Sequence, residues 1–327
     1  MRRLIWADAA RGAAALLVIL GHILPQSSGK AWIFSFHVPF FFFLSGYLMA
    51  AGGSWQRQDL KTFFRKRALS LMYPYYTFSA ATILLQLILR DYMNMAISTV
   101  FTLLLFGAQS LWFLPAMFFG ELLVTAALKK YSGARRLLFF LAVGAISCAV
   151  CMVFHPSRDS GILQKVFNNE IIFLNRILLG CVWMGIGFGA FPLVEKLGEG
   201  NRSLIPAVLL AAVSFLGAQF NFAEICANEI GNPALYYLNG ISGCLGMLLV
   251  FRAVGDRCRF LPYCGRNSLI LFATHQNLRI TELGSSFLPD GISFVLTVAI
   301  ELLLIAVIRR YLPFMLAPVE RKIQKTI

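Results

Sequence analysis

About ten apolar segments of roughly 18–23 residues run along this chain, and their length matches the ~20 residues a helix needs to cross a bilayer. They fall at 4–24, 31–51, 68–90, 110–129, 136–154, 172–191, 203–221, 235–253, 264–281 and 291–311. So regular a series leaves little choice of fold. In hydrocarbon every backbone N–H and C=O must be bonded within its own segment, so spanning elements of this length are helices. Hydrophobic residues make up 58% of the 327 and charged residues 13%, with a mean hydropathy of +0.72. A soluble domain carries about twice that charged fraction. The expected fold is an all-α, polytopic transmembrane bundle of about ten helices. It forms a single membrane-embedded domain over 1–327, with no room for a separate soluble domain.

The net charge of +14 would suggest nucleic acid in a soluble chain, but here the basic residues cluster between apolar runs and no nucleic-acid partner is expected. With ten crossings and both termini in the cytoplasm, about 22 of the 29 Lys and Arg lie on the cytoplasmic side, and only Lys30, Arg90, Arg158, Lys165 and Arg279 lie outside. Cytoplasmic loops are enriched in Lys and Arg. Counting the short apolar stretch 95–107 as an eleventh crossing inverts every later loop and destroys the bias, so ten is the expected number. Arg11 and Arg176 fall inside predicted helices. Cys148 and Cys151 form a C-x-x-C, but apolar flanks without His or carboxylate neighbours point to packing rather than metal. No metal is expected.

Ionisable side chains within a span cost ~2.5–3.5 kcal/mol at the centre, so each asks for a reason. The first segment carries Asp8, Arg11 and His22. His22 follows Arg11 by eleven positions, about three turns, so both lie on one face some 16 Å apart along the axis. Asp8, one turn from Arg11, is placed to neutralise it. The second segment is expected to open at His37, with Pro39 in its first turn and Ser45-Gly46 near its middle. Glu121 lies mid-segment nine residues after Trp112, and His275 lies eight after Asn267. Arg11, His22 and His37 are the expected partners of Glu121 and His275. The cluster Arg65, Lys66 and Arg67 sits at the inner surface, where it suits anionic lipid or the phosphates of a nucleotide-like cofactor. Intramembrane charges alone suit an enzyme or a transporter of a small solute or lipid-linked sugar.

The blocks as they stand resemble the acyltransferase-3 family of integral membrane O-acyltransferases, in particular its fucose acetyltransferase and enterobacterial common antigen acetyltransferase-like branch. Arg11 and His22 reproduce an R-x10-H pattern. FHVPFFFFLSGYL, FFRKRALSLMYPYY, LWFLPAMFFGELL and GRNSLILFATHQ follow in the family's order. Ser70 departs from it, standing where relatives often carry a second basic residue. The resemblance implies transfer of an acyl group, usually acetyl, from acetyl-CoA to a sugar hydroxyl of an envelope polysaccharide, glycolipid or related acceptor, in a bacterial inner or plasma membrane. His22 is then the base or a transient acyl carrier, and Arg11 places the donor. His37, Glu121 and His275 support the site, and Arg65, Lys66, Arg67 and Trp112 form the donor-binding set. Direct transfer and an acyl-His relay both remain open.

Overall fold

In the computed structural model, residues 4–88, 109–154, 162–197, 203–255, 257–275 and 288–316 are described. The stretch 95–107 and the end of the ninth segment, 276–281, lie outside them. The described residues form an all-α bundle without a β-sheet. Six helices are long and apolar enough to cross a membrane: Ile5–Ile23 (α1), Ser28–Gly52 (α2), Gly133–Val153 (α7), Ile162–Leu197 (α8, over Phe167–Leu197), Pro233–Val254 (α10) and Asp290–Tyr311 (α13). The others are Ser54–Arg57 (α3), Leu60–Arg67 (α4), Tyr73–Ile88 (α5), Phe113–Lys130 (α6), Leu204–Ala218 (α9), Phe260–Arg266 (α11) and Ser268–Thr274 (α12).

Local chemistry sets several boundaries. Ser27 accepts from the Lys30 amide and starts α2 at Ser28, and Gly53 ends it in the left-handed conformation at φ 57°, donating to the Met49 carbonyl. His37 therefore lies in the third turn of α2, not at its opening, and Pro39 is interior. Asp59 caps α4 by accepting from Thr62. A π-helical turn, Ala68–Met72, then joins α4 to α5 and advances the register directly after Arg67. Asn232 accepts from the Ala234 and Leu235 amides to start α10, with Pro233 at its first position.

The ninth apolar segment is not one helix. Its chain bends at Asn267 (φ −108°), which separates α11 from α12. The Asn267 amide side chain donates to the Tyr263 carbonyl at 2.8 Å and accepts from Arg309 of α13. These partners hold the break in place.

Two backbone contacts position everything around the site. A Cβ on Gly12 would stand 2.0 Å from the Leu261 carbonyl oxygen, and one on Gly265 would stand 1.8 Å from that of Asp8, so α1 and α11 touch through bare backbone. Likewise a Cβ on Gly46 would meet the Met184 oxygen at 1.9 Å and one on Gly187 the Phe43 oxygen at 1.9 Å, joining α2 to α8. Small residues at such crossings let membrane helices approach closely enough for dispersion to hold them.

At one end of the bundle Arg252 of α10 donates to Tyr47 of α2 and pairs with Glu195 of α8, while lying 5.7 Å from the Trp6 ring of α1. At the other end Asn228, left-handed at φ 59°, accepts from Asn175 at 2.7 Å and donates to the Phe154 carbonyl at 2.7 Å. This clips the loop between α9 and α10 onto α7 and α8.

Gly187 and Gly189 test the backbone contact within one helix. Gly187→Ala is expected to destabilise the protein by about 2–4 kcal/mol, because its methyl meets backbone that cannot yield. Gly189 has nothing within 4 Å of an added Cβ, so Gly189→Ala is expected to be neutral or to stabilise by about 0.5–1 kcal/mol. Melting temperatures of the two variants in one detergent check the contrast.

Candidate active site

Four elements, α1, α2, α6 and the α11–α12 pair, face one another along a seam. Helical spacing puts the chemistry on that seam. From α1 come Arg11, Val18 and His22; from α2, His37, Phe41, Ser45 and Leu48; from α6, Phe113, Met117 and Glu121; from α11 and α12 with the following residue, Gly265, Ser268, Leu269, Phe272 and His275. The seam holds two cavities of opposite character.

The first is small, about 50 Å³, and contains the histidines. The His22 and His275 ring centroids lie 5.4 Å apart, and Phe34 packs against both His22 (6.3 Å) and His37 (4.9 Å). His37 and His275 are buried, and each places Nδ1 2.7 Å from the carbonyl four residues before it, Ile33 and Leu271. A carbonyl only accepts, so Nδ1 carries a proton in both rings. Three imidazoles from three helices thus meet in a largely apolar surround, a setting suited to taking and returning a proton.

The loop between α9 and α10 closes this cavity with Glu224, Ile225 and Cys226. Burial pushes the Glu224 carboxyl above the usual carboxylate range, and Glu229 adds to the effect, while Lys30 and Arg176 oppose it. Trp112 and Phe113 line the same cavity. Arg176, inside α8, lies 4.7 Å from the Trp112 ring centroid and donates to the Cys226 carbonyl, so one guanidinium fixes both the indole and the loop.

The second cavity, about 370 Å³, is polar and basic. Arg11, Arg67 and Arg266 line it with Ser45, Ser70, Ser268 and Glu121. Glu121 is buried, and Arg67 grips it with two contacts, Nε to Oε2 at 2.6 Å and Nη2 to Oε1 at 2.7 Å. Ser45 donates to Oε1 at 2.6 Å. Arg11 pairs with Asp8 at 3.4 Å. Three guanidinium groups against one lining carboxylate leave this cavity net positive, which suits the phosphates of an anionic ligand.

Arg11 and His22 therefore share a face of α1 but open into different cavities. Glu121 takes Arg67, at the end of α4, and Ser45 as partners rather than Arg11, His22 or His37. His275 lies beside His22 as expected. Of the donor-binding set only Arg67 lines the basic cavity; Arg65 and Lys66 are exposed outside it, and Trp112 stands among the histidines. Sequence reasoning placed Arg176 inside a helix without giving it a role, and its cost there was the signal. Arg266 at the end of α11, and Glu224 and Cys226 on the loop between α9 and α10, gave none, since they join the site only through the fold.

The long apolar helices describe a multi-pass membrane protein, with an Arg67–Glu121 ion pair and a cluster of imidazoles along one seam. A family model described as an acyltransferase domain matches residues 4–310, and the chain belongs to that acyltransferase family. The match supports an enzyme that moves acyl groups rather than a transporter. No curated protein and no solved structure gave a significant match.

The Arg67–Glu121 pair yields a test that needs no substrate. Removing one partner of a buried pair costs ~3–5 kcal/mol. The Arg67 side chain is 36% exposed, so solvent screening reduces the expected loss for Arg67→Ala to about 1–3 kcal/mol. Arg67→Ala with Glu121→Gln is expected to recover much of it, since no unpaired carboxylate then remains. Thermal melts of the wild type, both single variants and the double variant give the coupling.

Proposed function

We propose that this protein transfers an acyl group, in the first instance acetyl, from acetyl-CoA to a sugar hydroxyl of an envelope polysaccharide, glycolipid or related acceptor. The observation that carries the reading is the pairing of a basic cavity with a histidine cavity along one helical seam, sharing Phe113 and Phe272 as lining residues. Arg11, Arg67 and Arg266 bind the donor's phosphates, and the thioester reaches toward His22. In direct transfer the acceptor oxygen attacks the thioester carbonyl while His22 takes the hydroxyl proton. The C–O bond forms, the C–S bond breaks, and the proton returns to the departing thiolate. In a relay His22 itself takes the acyl group first and passes it to the hydroxyl. Intact-protein mass after incubation with acetyl-CoA alone separates the two routes. The sugar acceptor and the bacterial inner or plasma membrane rest on the resemblance to the fucose acetyltransferase and common antigen acetyltransferase-like branch.

The proposed orientation puts the basic cavity on the cytoplasmic side, where acetyl-CoA is made, with ten crossings and both termini inside. Cys226 and Cys258 are both exposed and lie on loops that this topology assigns to opposite faces. A membrane-impermeant thiol reagent on intact cells is expected to label Cys226 and spare Cys258. Labelling of Cys258 from outside contradicts the orientation.

The catalytic reading is tested on α1. His22→Ala and Arg11→Ala are expected to express and melt within a few degrees of wild type but to lose at least about 100-fold in acetyl transfer to membrane acceptors, in the ~10²–10⁴ range for a general base. Arg11→Lys is expected to fail as well, because an ammonium cannot make a forked contact to phosphate. Full transfer by folded His22→Ala overturns the mechanism.

A further inference from the structure

The wall between the two cavities is made of three phenylalanines. Phe113 and Phe272 stack with ring centroids 5.0 Å apart and planes 9° from parallel. Phe41 meets both edge-on, at 5.6 Å from Phe113 and 4.7 Å from Phe272. Phe272 also packs against His275 at 6.3 Å. Phe113 and Phe272 line both cavities, and Phe41 lines the basic one. Each ring comes from a different helix, α2, α6 and α12, so the septum closes the seam from three sides between the charged residues and the imidazoles.

We propose that Phe41, Phe113 and Phe272 form a gate that the donor's acyl-bearing arm must part to reach the histidines, and that this gate sets acyl-chain length and excludes water. The inference rests on the acyltransferase reading above and adds to it the specificity-determining residues. Arg11 and His22 lie about 16 Å apart along α1, so a donor whose phosphates sit at Arg11 reaches His22 only by passing the septum. Opening the stack takes rotation of side chains rather than movement of whole helices. While closed it keeps the basic cavity's water from the imidazoles, and once an arm is inserted the rings close on it. Beyond the septum the histidine cavity is the smaller of the two, about 50 Å³ against about 370 Å³, so a longer acyl chain must displace a ring sooner than a short one. Without the septum, water takes the place of the acceptor: its oxygen bonds to the acyl carbon, the C–S bond breaks, and free acid and thiol are released.

The test uses the full-length protein in lipid nanodiscs with acetyl-CoA and butyryl-CoA, reading free thiol without acceptor. Phe113→Ala and Phe272→Ala are each expected to raise thiol release from acetyl-CoA about tenfold over wild type. Each should also raise the butyryl-to-acetyl ratio of kcat/KM about tenfold. A merely structural loss lowers both substrates alike and leaves that ratio unchanged. Phe272→Leu, which preserves more of the helix contact, is expected to shift both readouts in the same direction and carries the test if an alanine variant does not fold. Label transfer from acetyl-CoA in membranes holding the wild-type protein is measured alongside. If wild type transfers no label, the acyltransferase reading fails and the gate with it. If wild type transfers and the variants keep its leak and selectivity, the gate alone fails.

Discussion

A carboxyl buried in a membrane bundle needs a cation, a hydrogen-bond donor or a proton, and Glu121 is matched by Arg67 from another helix. That requirement organises one half of the site. Meeting it takes Arg67 at the end of α4 and Ser45 of α2, whose hydroxyl completes the carboxylate's contacts. Three elements are thereby drawn to one point, and the space between them becomes a basic cavity rather than a packed core. Because Glu121 pairs with Arg67 and Asp8 pairs with Arg11, the cavity's excess positive charge is that of Arg266, beside the α1–α11 contact. Donor binding and fold stability therefore share residues, which makes a stability readout necessary beside every activity readout.

Glycine contacts supply the rigidity on which this depends. Gly12 against Gly265 sets the distance from Arg11 to the α11–α12 bend, and Gly46 against Gly187 fixes α2 on α8 next to Ser45. With α1 and α2 each anchored through backbone, His22 and His37 are carried to the same cavity at the far end of the seam. The bend at Asn267, held by Arg309, turns α12 so that Phe272 and His275 enter the seam from a third side. Rigid helices with aromatic rings between them place motion in the side chains, where gating costs least.

The helical, membrane-spanning character was legible because hydropathy and backbone chemistry leave one solution, and the family resemblance was carried by blocks whose order survives in the linear sequence. The shared face of Arg11 and His22 followed from the helical repeat alone. Pairing across helices did not: nothing in the periodicity says that Glu121 meets Arg67, because that contact is made only through the fold. The break at Asn267 lay inside the expected ninth crossing, and its Gly-Arg-Asn-Ser gives no sign that a distant Arg309 will hold it. Trp112 was grouped with the basic cluster although its place is beside the histidines, under Arg176. The phenylalanines of the septum looked like ordinary packing residues, as most phenylalanines in a chain with 30 of them are. Their role emerges only when two cavities are seen to share them.

The central claim is that one seam holds donor and histidine on opposite sides of an aromatic wall. A cryo-EM map of the protein in nanodiscs with CoA bound tests it most directly. The account predicts phosphate density against Arg11, Arg67 and Arg266 and the thiol end pointing at or through Phe113 and Phe272 toward His22. Density for CoA at a site away from this seam, with the basic cavity unchanged, would contradict it.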